Sequence, residues 1–178
     1  MRIISGKNRG RKIVAPKNLP VRPTTDMAKE SLFNIINNLT GVDNLLVLDL
    51  FAGTGNITYE FASRGCKAVT SVDSNIKCTT FISQTAQLLN YENVYVIRAD
   101  YRQFLNSSGG LFDLIFADPP YNMENFDKIP NLIFENSLLN KNGVLIIEHS
   151  DSIDFTSHLH YYDHRKYGKV NFTFFKFQ

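Results

Sequence analysis

Most of the chain alternates between short apolar runs and segments whose apolar residues recur at helical spacing. The apolar runs predict five strands, and the segments between them predict helices at 56–64, 76–90 and 125–136. Strands that are apolar on both faces and separated by helices are typical of a parallel, doubly wound α/β sheet. The predicted strands are Leu45–Leu50, Ala68–Val72, Val94–Arg98, Leu111–Ala117 and Val144–Glu148.

The two ends of the chain show other patterns. Near the start, extended runs at 2–5 and 11–14 flank a glycine-containing turn and predict a β-hairpin. A helix follows it, because Thr25 and Asp26 suit a helix N-terminus and Gly41 suits a C-terminus. Near the end, two strand-like runs flank Gly168 and predict an antiparallel hairpin. We therefore predict a mostly parallel seven-stranded sheet with a C-terminal antiparallel hairpin, preceded by an N-terminal hairpin and helix.

The size of the chain, 178 residues, suits effectively a single domain. We divide it into an N-terminal extension at 1–40 and a main domain at 41–178. No apolar run approaches the length of a membrane helix, and the start does not resemble a secretory signal. Cys66 and Cys78 match neither a disulfide framework nor a zinc spacing. We expect a cytoplasmic protein with no membrane association.

Positive charge is concentrated at the start of the chain. Seven basic residues precede the first acidic residue, Asp26, although the net charge is only +2. A basic segment on an acidic body is typical of proteins that contact a polyanion from one side. The alternative is a solvated hairpin that is basic by chance. The charge distribution therefore predicts that this segment contacts a polyanion.

Asp118, Pro119, Pro120 and Tyr121 form the most informative motif. They follow a predicted buried strand, and ligands of open α/β sheets bind at the carboxyl ends of the strands. A carboxylate accepts hydrogen bonds from an amino group, while the prolines stiffen the turn and leave carbonyls as acceptors. The aromatic ring offers a face on which a base can stack. The motif predicts a clamp for a nucleobase amino group; the alternative is an ordinary loop with Asp118 as a helix cap.

The first strand ends in Asp49 and a glycine loop that contains Phe51, Gly53 and Gly55. Two glycines allow the backbone to approach a ligand closely. The loop lacks the third glycine of a dinucleotide fingerprint, because Thr58 stands at that position. A carboxylate before the loop would also repel a pyrophosphate and attract a cationic ligand. The loop therefore favours a cationic ligand over a dinucleotide.

The next two strands also end in aspartates. Asp73 can accept hydrogen bonds from ribose hydroxyls, and Asp100 with Tyr101 can bind an adenine. Each acid alone would more often be a helix cap or a loop residue. Together with Asp49 and Asp118, they predict one pocket for an adenosine with a cationic tail beside an amine clamp. S-adenosylmethionine fits this description.

Several segments together carry a family resemblance. They are Arg2–Ile4, Arg9–Lys12, Arg22–Asp26 with Glu30, Leu32, Phe33 and Asn34, Asp49–Gly55 and Asp118–Tyr121. Along nearly its whole length the chain resembles the bacterial small-subunit ribosomal RNA guanine-N2 methyltransferases, the RsmD family. It departs from the family pattern at Ser5, where glycine is usual, and at Met27 and Lys29, where arginines are frequent. These departures concern RNA contacts and not the chemistry.

The resemblance implies a Rossmann-like methyltransferase fold. It implies methyl transfer from S-adenosylmethionine to N2 of one guanine in small-subunit (16S) ribosomal RNA, with S-adenosylhomocysteine as product. Four residues near the start of the chain would then neutralise phosphates of the RNA: Arg9, Arg11, Lys12 and Arg22. We expect a monomer whose partner is ribosomal RNA within a small-subunit particle. The catalytic residues would be Asp118, Pro119, Pro120 and Tyr121, and the cofactor-binding residues Asp49, Phe51, Gly53, Gly55, Asp73, Asp100 and Tyr101.

Three other functions stay open at the level of the sequence. An adenine-N6 methyltransferase acting on DNA or RNA uses the same tetrapeptide and cofactor. A nucleotide-dependent oxidoreductase and a non-catalytic RNA-binding module are the alternatives from other classes. Glu148, His149 and the tail histidines are left unassigned. His158 and His160 are expected on one face of a strand, and no metal is expected there because no acid or cysteine completes a ligand set.

Overall fold

The computed structural model describes residues 1–16, 19 and 25–177. The strands are β1 (Leu46–Leu50), β2 (Ala68–Asp73), β3 (Val94–Arg98), β4 (Phe112–Ala117), β5 (Leu139–His149), β6 (Tyr161–Tyr167) and β7 (Val170–Phe175). The helices are α1 (Asp26–Leu39), α2 (Asn56–Ser63), α3 (Ile76–Leu88), α4 (Tyr101–Ser107) and α5 (Ile129–Glu135), with a 3-10 turn at Phe126–Lys128.

The seven strands form one sheet in the order β3-β2-β1-β4-β5-β7-β6. The pairs from β3 to β5 are parallel, and β7 pairs antiparallel with both β5 and β6. The predicted mostly parallel sheet with a C-terminal antiparallel hairpin is confirmed. The chain changes direction across the sheet between β1 and β4. Ligands of such sheets bind at this switch point, beyond the carboxyl ends of the strands.

Hydrophobic side chains cover both faces of the sheet. On one face, alternate residues such as Val47 and Leu114 pack with apolar residues of α1, α2 and α3. On the other face, Leu48 and Ile115 pack with residues of α4 and α5. Alternation follows from the two-residue period of a strand, and burial of both faces explains why these strands are apolar throughout. No helix in the described ranges is long and apolar enough to cross a membrane.

The N-terminal hairpin, residues 1–16, is called the basic arm below. Its two runs pair antiparallel at Arg2 and Lys12, as predicted, although only as a single bridge. The amide of Ile3 donates to the Arg11 carbonyl at 3.0 Å. Ile3 and Ile13 are buried in the same cluster as the core of the first sheet face. The arm is therefore packed onto the main body of the protein.

Several elements differ from the prediction. Helix α4 was not predicted, because seven residues show too little periodicity. The helix expected at 125–136 starts as a 3-10 turn, and α5 begins only near Pro130, since proline suits a first helical turn. Strand β5 starts five residues earlier than predicted, where polar residues hide the pattern. The expectation that His158 and His160 share a strand face is wrong, because both lie in turns before β6.

Candidate active site

Three buried or half-buried acids meet at the carboxyl ends of the central strands. Ala117 of β4 is in register with Ile147 of β5, so the next residues, Asp118 and Glu148, lie side by side. Asp49 of β1 is in register with Phe116, whose side chain belongs to the first sheet face. Asp118 and Asp49 therefore project from the same face. The three acids line one cavity of about 610 Å³.

This cavity favours positive charge. Burial raises the pKa of Asp49 to about 7, and the Thr58 hydroxyl, which donates to its carboxylate, limits the rise. Burial also raises the pKa of Asp118 well above its usual range, and the charges of Glu148 and Asp49 raise it further. A cationic group in the cavity would relieve this repulsion. The chemistry of the acids thus fits the sulfonium of S-adenosylmethionine.

A second, smaller hollow of about 160 Å³ adjoins the first, and Phe51 and Pro120 line both. Its wall carries Asp73, Asp100 and Tyr101. The rings of Phe51 and Tyr101 lie 5.0 Å apart. Aromatic surface beside two carboxylates suits a nucleoside, because bases stack on aromatic rings and carboxylates accept from hydroxyl and amino groups. The four predicted aspartates therefore lie along one edge of the sheet, in two adjoining spaces.

Both carboxylates of the smaller hollow also hold the backbone. Asp73 accepts from the amides of Gly53 at 2.9 Å and Asn75 at 2.8 Å. Asp100 caps α4 by accepting from the Arg102 amide at 2.9 Å. Each carboxylate has about four acceptor sites, so these bonds leave capacity for a ligand. The helix-cap role and the ligand role of Asp100 are compatible.

The structure requires glycine at the two loop positions for different reasons. Gly53 lines the larger cavity, and its φ of 56° is left-handed. Gly55 lies at the start of α2 with a φ of 77°, and a Cβ there would approach the Tyr59 ring to 2.7 Å. The structure therefore places Gly55 against the core and not in the lining of either space. Phe51 also has a positive φ, 65°, and this is strain of the kind that clusters at ligand sites.

The tetrapeptide motif turns away from β4 without starting a helix. The Asp118 amide donates to the Leu50 carbonyl at 3.3 Å, which ties the motif to β1. Pro119 is buried, whereas the Tyr121 side chain is 49% exposed at the cavity mouth. Burial raises the pKa of Tyr121 to about 12, together with the charge of Glu148 and a hydrogen bond to it. The next helical turn of the described chain begins only at Phe126.

Some lining residues were not predicted to belong to the site. Glu148 was left unassigned, although it ends the strand next to β4 and is only 5% exposed. The rule that selected the four aspartates, an acid at a strand's carboxyl end, could have selected it too. Thr25, Asn56 and Lys169 also line the cavity. These three come from segments distant in sequence, so only the fold brings them together.

The basic arm is held against α2 by a buried acid. Glu60 accepts from the amides of Ile4 at 2.8 Å and Ser5 at 3.0 Å, and it pairs with Arg64. Gly6 is required here, because a Cβ would lie 1.8 Å from the Ser63 carbonyl oxygen. This docking presents three of the predicted phosphate-binding residues to solvent: Arg9, Arg11 and Lys12. The fourth, Arg22, lies outside the described residues.

The structure gives Lys29 a buried structural role, whereas the sequence analysis related it to RNA contacts. Its side chain is 1% exposed, so it is not an RNA contact. The ammonium group donates to the Arg2 carbonyl at 2.6 Å and to the Asn56 amide oxygen at 2.9 Å, and it lies 3.4 Å from Glu60. It thereby joins the basic arm to the glycine loop. Among the described residues, no group of three or more histidine, cysteine or acidic side chains could hold a metal ion.

Comparison with known proteins agrees with this architecture. The family described as "Conserved hypothetical protein 95" matches residues 1–176. The chain belongs to this family. The putative rRNA methyltransferase YlbH of Bacillus subtilis is 34% identical over 160 residues, which cover 86% of this chain and 85% of that protein. The resemblance found in the sequence is confirmed.

Two further relatives extend the comparison. The ribosomal RNA small subunit methyltransferase D of Buchnera aphidicola subsp. Baizongia pistaciae is 31% identical, covering 86% of this chain and 78% of its own length. The structure of the putative methyltransferase yhhF from Escherichia coli superposes with a TM-score of 0.86 at 26% identity, covering 100% of this chain and 99% of that one. The similarity thus includes the basic arm, the sheet and the C-terminal hairpin.

Proposed function

We propose that this protein is an S-adenosylmethionine-dependent methyltransferase that modifies the exocyclic N2 of a guanine in small-subunit ribosomal RNA. The observation that carries the proposal is that Asp49 and Asp118 line one cavity, beside an acid-lined hollow of nucleoside character. Membership of a family whose relatives are named as ribosomal RNA methyltransferases supports the reaction and the substrate class.

The residues of the site form two groups: one would bind the methyl donor, S-adenosylmethionine, and the other would bind the target base. Asp73, Asp100, Phe51 and Tyr101 would hold the adenosine, and Asp49 with Gly53 would lie beside its cationic tail. When bound, S-adenosylmethionine supplies the methyl group and leaves as S-adenosylhomocysteine. The acids suit the donor because its positive charge offsets the charges whose repulsion raises their pKa values.

Asp118 would act on the base rather than on the donor. A guanine amino nitrogen is a poor nucleophile, because its lone pair is conjugated with the ring. Asp118 and the Pro119 carbonyl would accept both N–H bonds, turn the lone pair toward the methyl carbon, and hold it at near-attack distance of about 3–3.5 Å. The nitrogen becomes cationic as the carbon–nitrogen bond forms, and only then does its proton leave. The raised pKa of Asp118 suits it to receive that proton.

The remaining parts serve binding. Tyr121, half-exposed at the cavity mouth, would stack on a base that has left its helix, because the target atom is otherwise out of reach. Pro120 lines both spaces and would lie where the adenosine hollow meets the cavity for the base. The basic arm, with the rest of the 1–40 extension, would contact phosphates beside the 41–178 domain. We further propose a monomer that acts on small-subunit particles in the cytoplasm.

The test is to incubate the protein with labelled S-adenosylmethionine and small ribosomal subunits from cells that lack this protein. The modified RNA is then digested and the labelled nucleoside identified. We expect N2-methylguanosine at one position. Label in N6-methyladenosine would assign the protein to the adenine methyltransferases. A protein that binds the donor but transfers no label to these subunits would contradict the proposal.

A further inference from the structure

Glu148 is the acid of the cavity for which the reaction described above has no task. Its side chain is 5% exposed, at the carboxyl end of β5. Neighbouring strands lie about 4.8 Å apart, and register places Glu148 beside Asp118. A flat base whose amino group reaches Asp118 therefore presents the adjoining part of its edge to Glu148.

The edge of guanine differs from that of adenine at this adjoining position. In guanine the exocyclic N2 amine stands next to the N1–H, so both groups donate. In adenine the exocyclic N6 amine stands next to N1, which only accepts. An ionised carboxylate only accepts hydrogen bonds. Two carboxylates side by side therefore match guanine, whereas the second one would oppose the N1 lone pair of adenine.

We infer that Glu148 accepts the N1–H of the target guanine and thereby selects guanine over purines whose N1 is an acceptor. The inference rests on the proposed function and deepens it by naming the residue that reads the base. Glu148 is a binding and specificity residue in this role, and Asp118 remains the group that holds the reacting nitrogen.

The position of Tyr121 is consistent with this role. Tyr121 and Glu148 line the same cavity, and the tyrosine ring lies half-exposed at its mouth. A base that stacks on this ring would therefore bring its edge toward the buried acids.

The experiment compares two purines at the methylated position of the RNA. Small-subunit particles are reconstituted from RNA that carries guanosine or 2-aminopurine riboside at that position, and single-turnover rates are measured at saturating S-adenosylmethionine. 2-Aminopurine keeps the C2 amine, but its N1 accepts instead of donating. We expect the wild-type protein to prefer guanosine by roughly tenfold to a hundredfold. Equal rates on both purines would overturn the inference without any variant.

The variant Glu148→Gln gives the sharper result. Glutamine can donate to the N1 of 2-aminopurine, so the preference for guanosine should fall at least tenfold, or reverse. Asp49→Asn is the matched control: it removes an acid from the same cavity and should weaken donor binding without changing the preference. Binding of S-adenosylmethionine reports that the glutamine variant is folded. A preference unchanged in Glu148→Gln would refute the inference, whereas a wild-type protein inactive on guanosine would refute the proposed function itself.

Discussion

At the scale of single residues, burial of acids decides the character of the site. Asp49 is 2% exposed and receives a hydrogen bond from Thr58, which is itself bonded to Ser71 at 2.7 Å. Two hydroxyls do not replace the hydration that a carboxylate loses on burial, so the protonated form is favoured. The position of Asp49 therefore suits a cationic ligand, but the buried carboxylate destabilises the folded protein when it is ionised.

This destabilisation predicts a pH-dependent effect of Asp49→Asn. The pKa of Asp49 is about 7 in the folded protein against 3.8 as its ordinary value. The folded state therefore binds this proton more tightly, and the resulting stability is present below about pH 4 and lost as pH rises through about 7. The asparagine side chain is neutral at every pH. The free energy of unfolding of Asp49→Asn should therefore exceed that of the wild type by on the order of 4 kcal/mol at about pH 8.5, and by much less at about pH 5. Denaturant titrations of both proteins at the two pH values measure this difference in stability. A difference that does not grow with pH would contradict the prediction.

At the scale of elements, the basic arm is a docked structure and not a loose tail. Ile3 and Ile13 are buried in the main core, so deletion of the arm would expose apolar core residues to water. Its exposed charges can be removed without touching these contacts. The arm should therefore be tested by substitution.

Replacing Arg9, Arg11 and Lys12 together by alanine should weaken RNA binding and lower its salt dependence. Each lost phosphate contact reduces the slope of log affinity against log salt by about 0.7–0.9, so three should reduce it by about 2–3. Affinity for S-adenosylmethionine should stay near the wild-type value. A matched control replaces three exposed basic residues outside the arm: Lys128, Lys141 and Arg165. Equal salt slopes for the arm variant and the control would show that the arm is not an RNA contact.

The elements also show how far the sequence could predict the molecule. Long apolar strands and capped helices such as α1 were predictable, because they repeat one pattern over many residues. Helix α4 was not, because seven residues give little periodicity and its apolar residues face the sheet at only a few points. Asp118 could be found from its motif. Glu148 could be found as an acid near the carboxyl end of a strand, but its position beside Asp118 follows only from the register of β5 against β4.

At the scale of the whole molecule, one buried cation connects the arm, helix α1 and the glycine loop. Lys29, in α1, contacts Arg2 of the arm and two residues of α2: Asn56, which directly follows the glycine loop, and Glu60. Burial lowers the pKa of Lys29, whereas the charge of Glu60 acts to raise it. The sequence analysis related Lys29 only to RNA contacts, because no pattern in a sequence shows that a lysine is paired in the interior.

Lys29→Met should destabilise the protein by about 3 kcal/mol, because it leaves the carboxylate of Glu60 less compensated in the interior. In a protein of this size, that corresponds to a fall in Tm of about 6–12 °C. Donor affinity should fall too, since Asn56 lines the cavity. The exposed neighbour Glu30 provides the control, and Glu30→Gln should change stability by less than about 0.5 kcal/mol. Calorimetry of both variants measures these effects, and equal melting temperatures would argue against a structural role for Lys29.

The most direct test of the account is the single-turnover rate of methyl transfer by Asp118→Ala at saturating donor and RNA. If Asp118 holds the reacting amine, the rate should fall about a hundredfold or more, while the affinities for S-adenosylmethionine and RNA stay near those of the wild type. A rate within a few-fold of the wild-type value, with both ligands bound, would contradict the central claim.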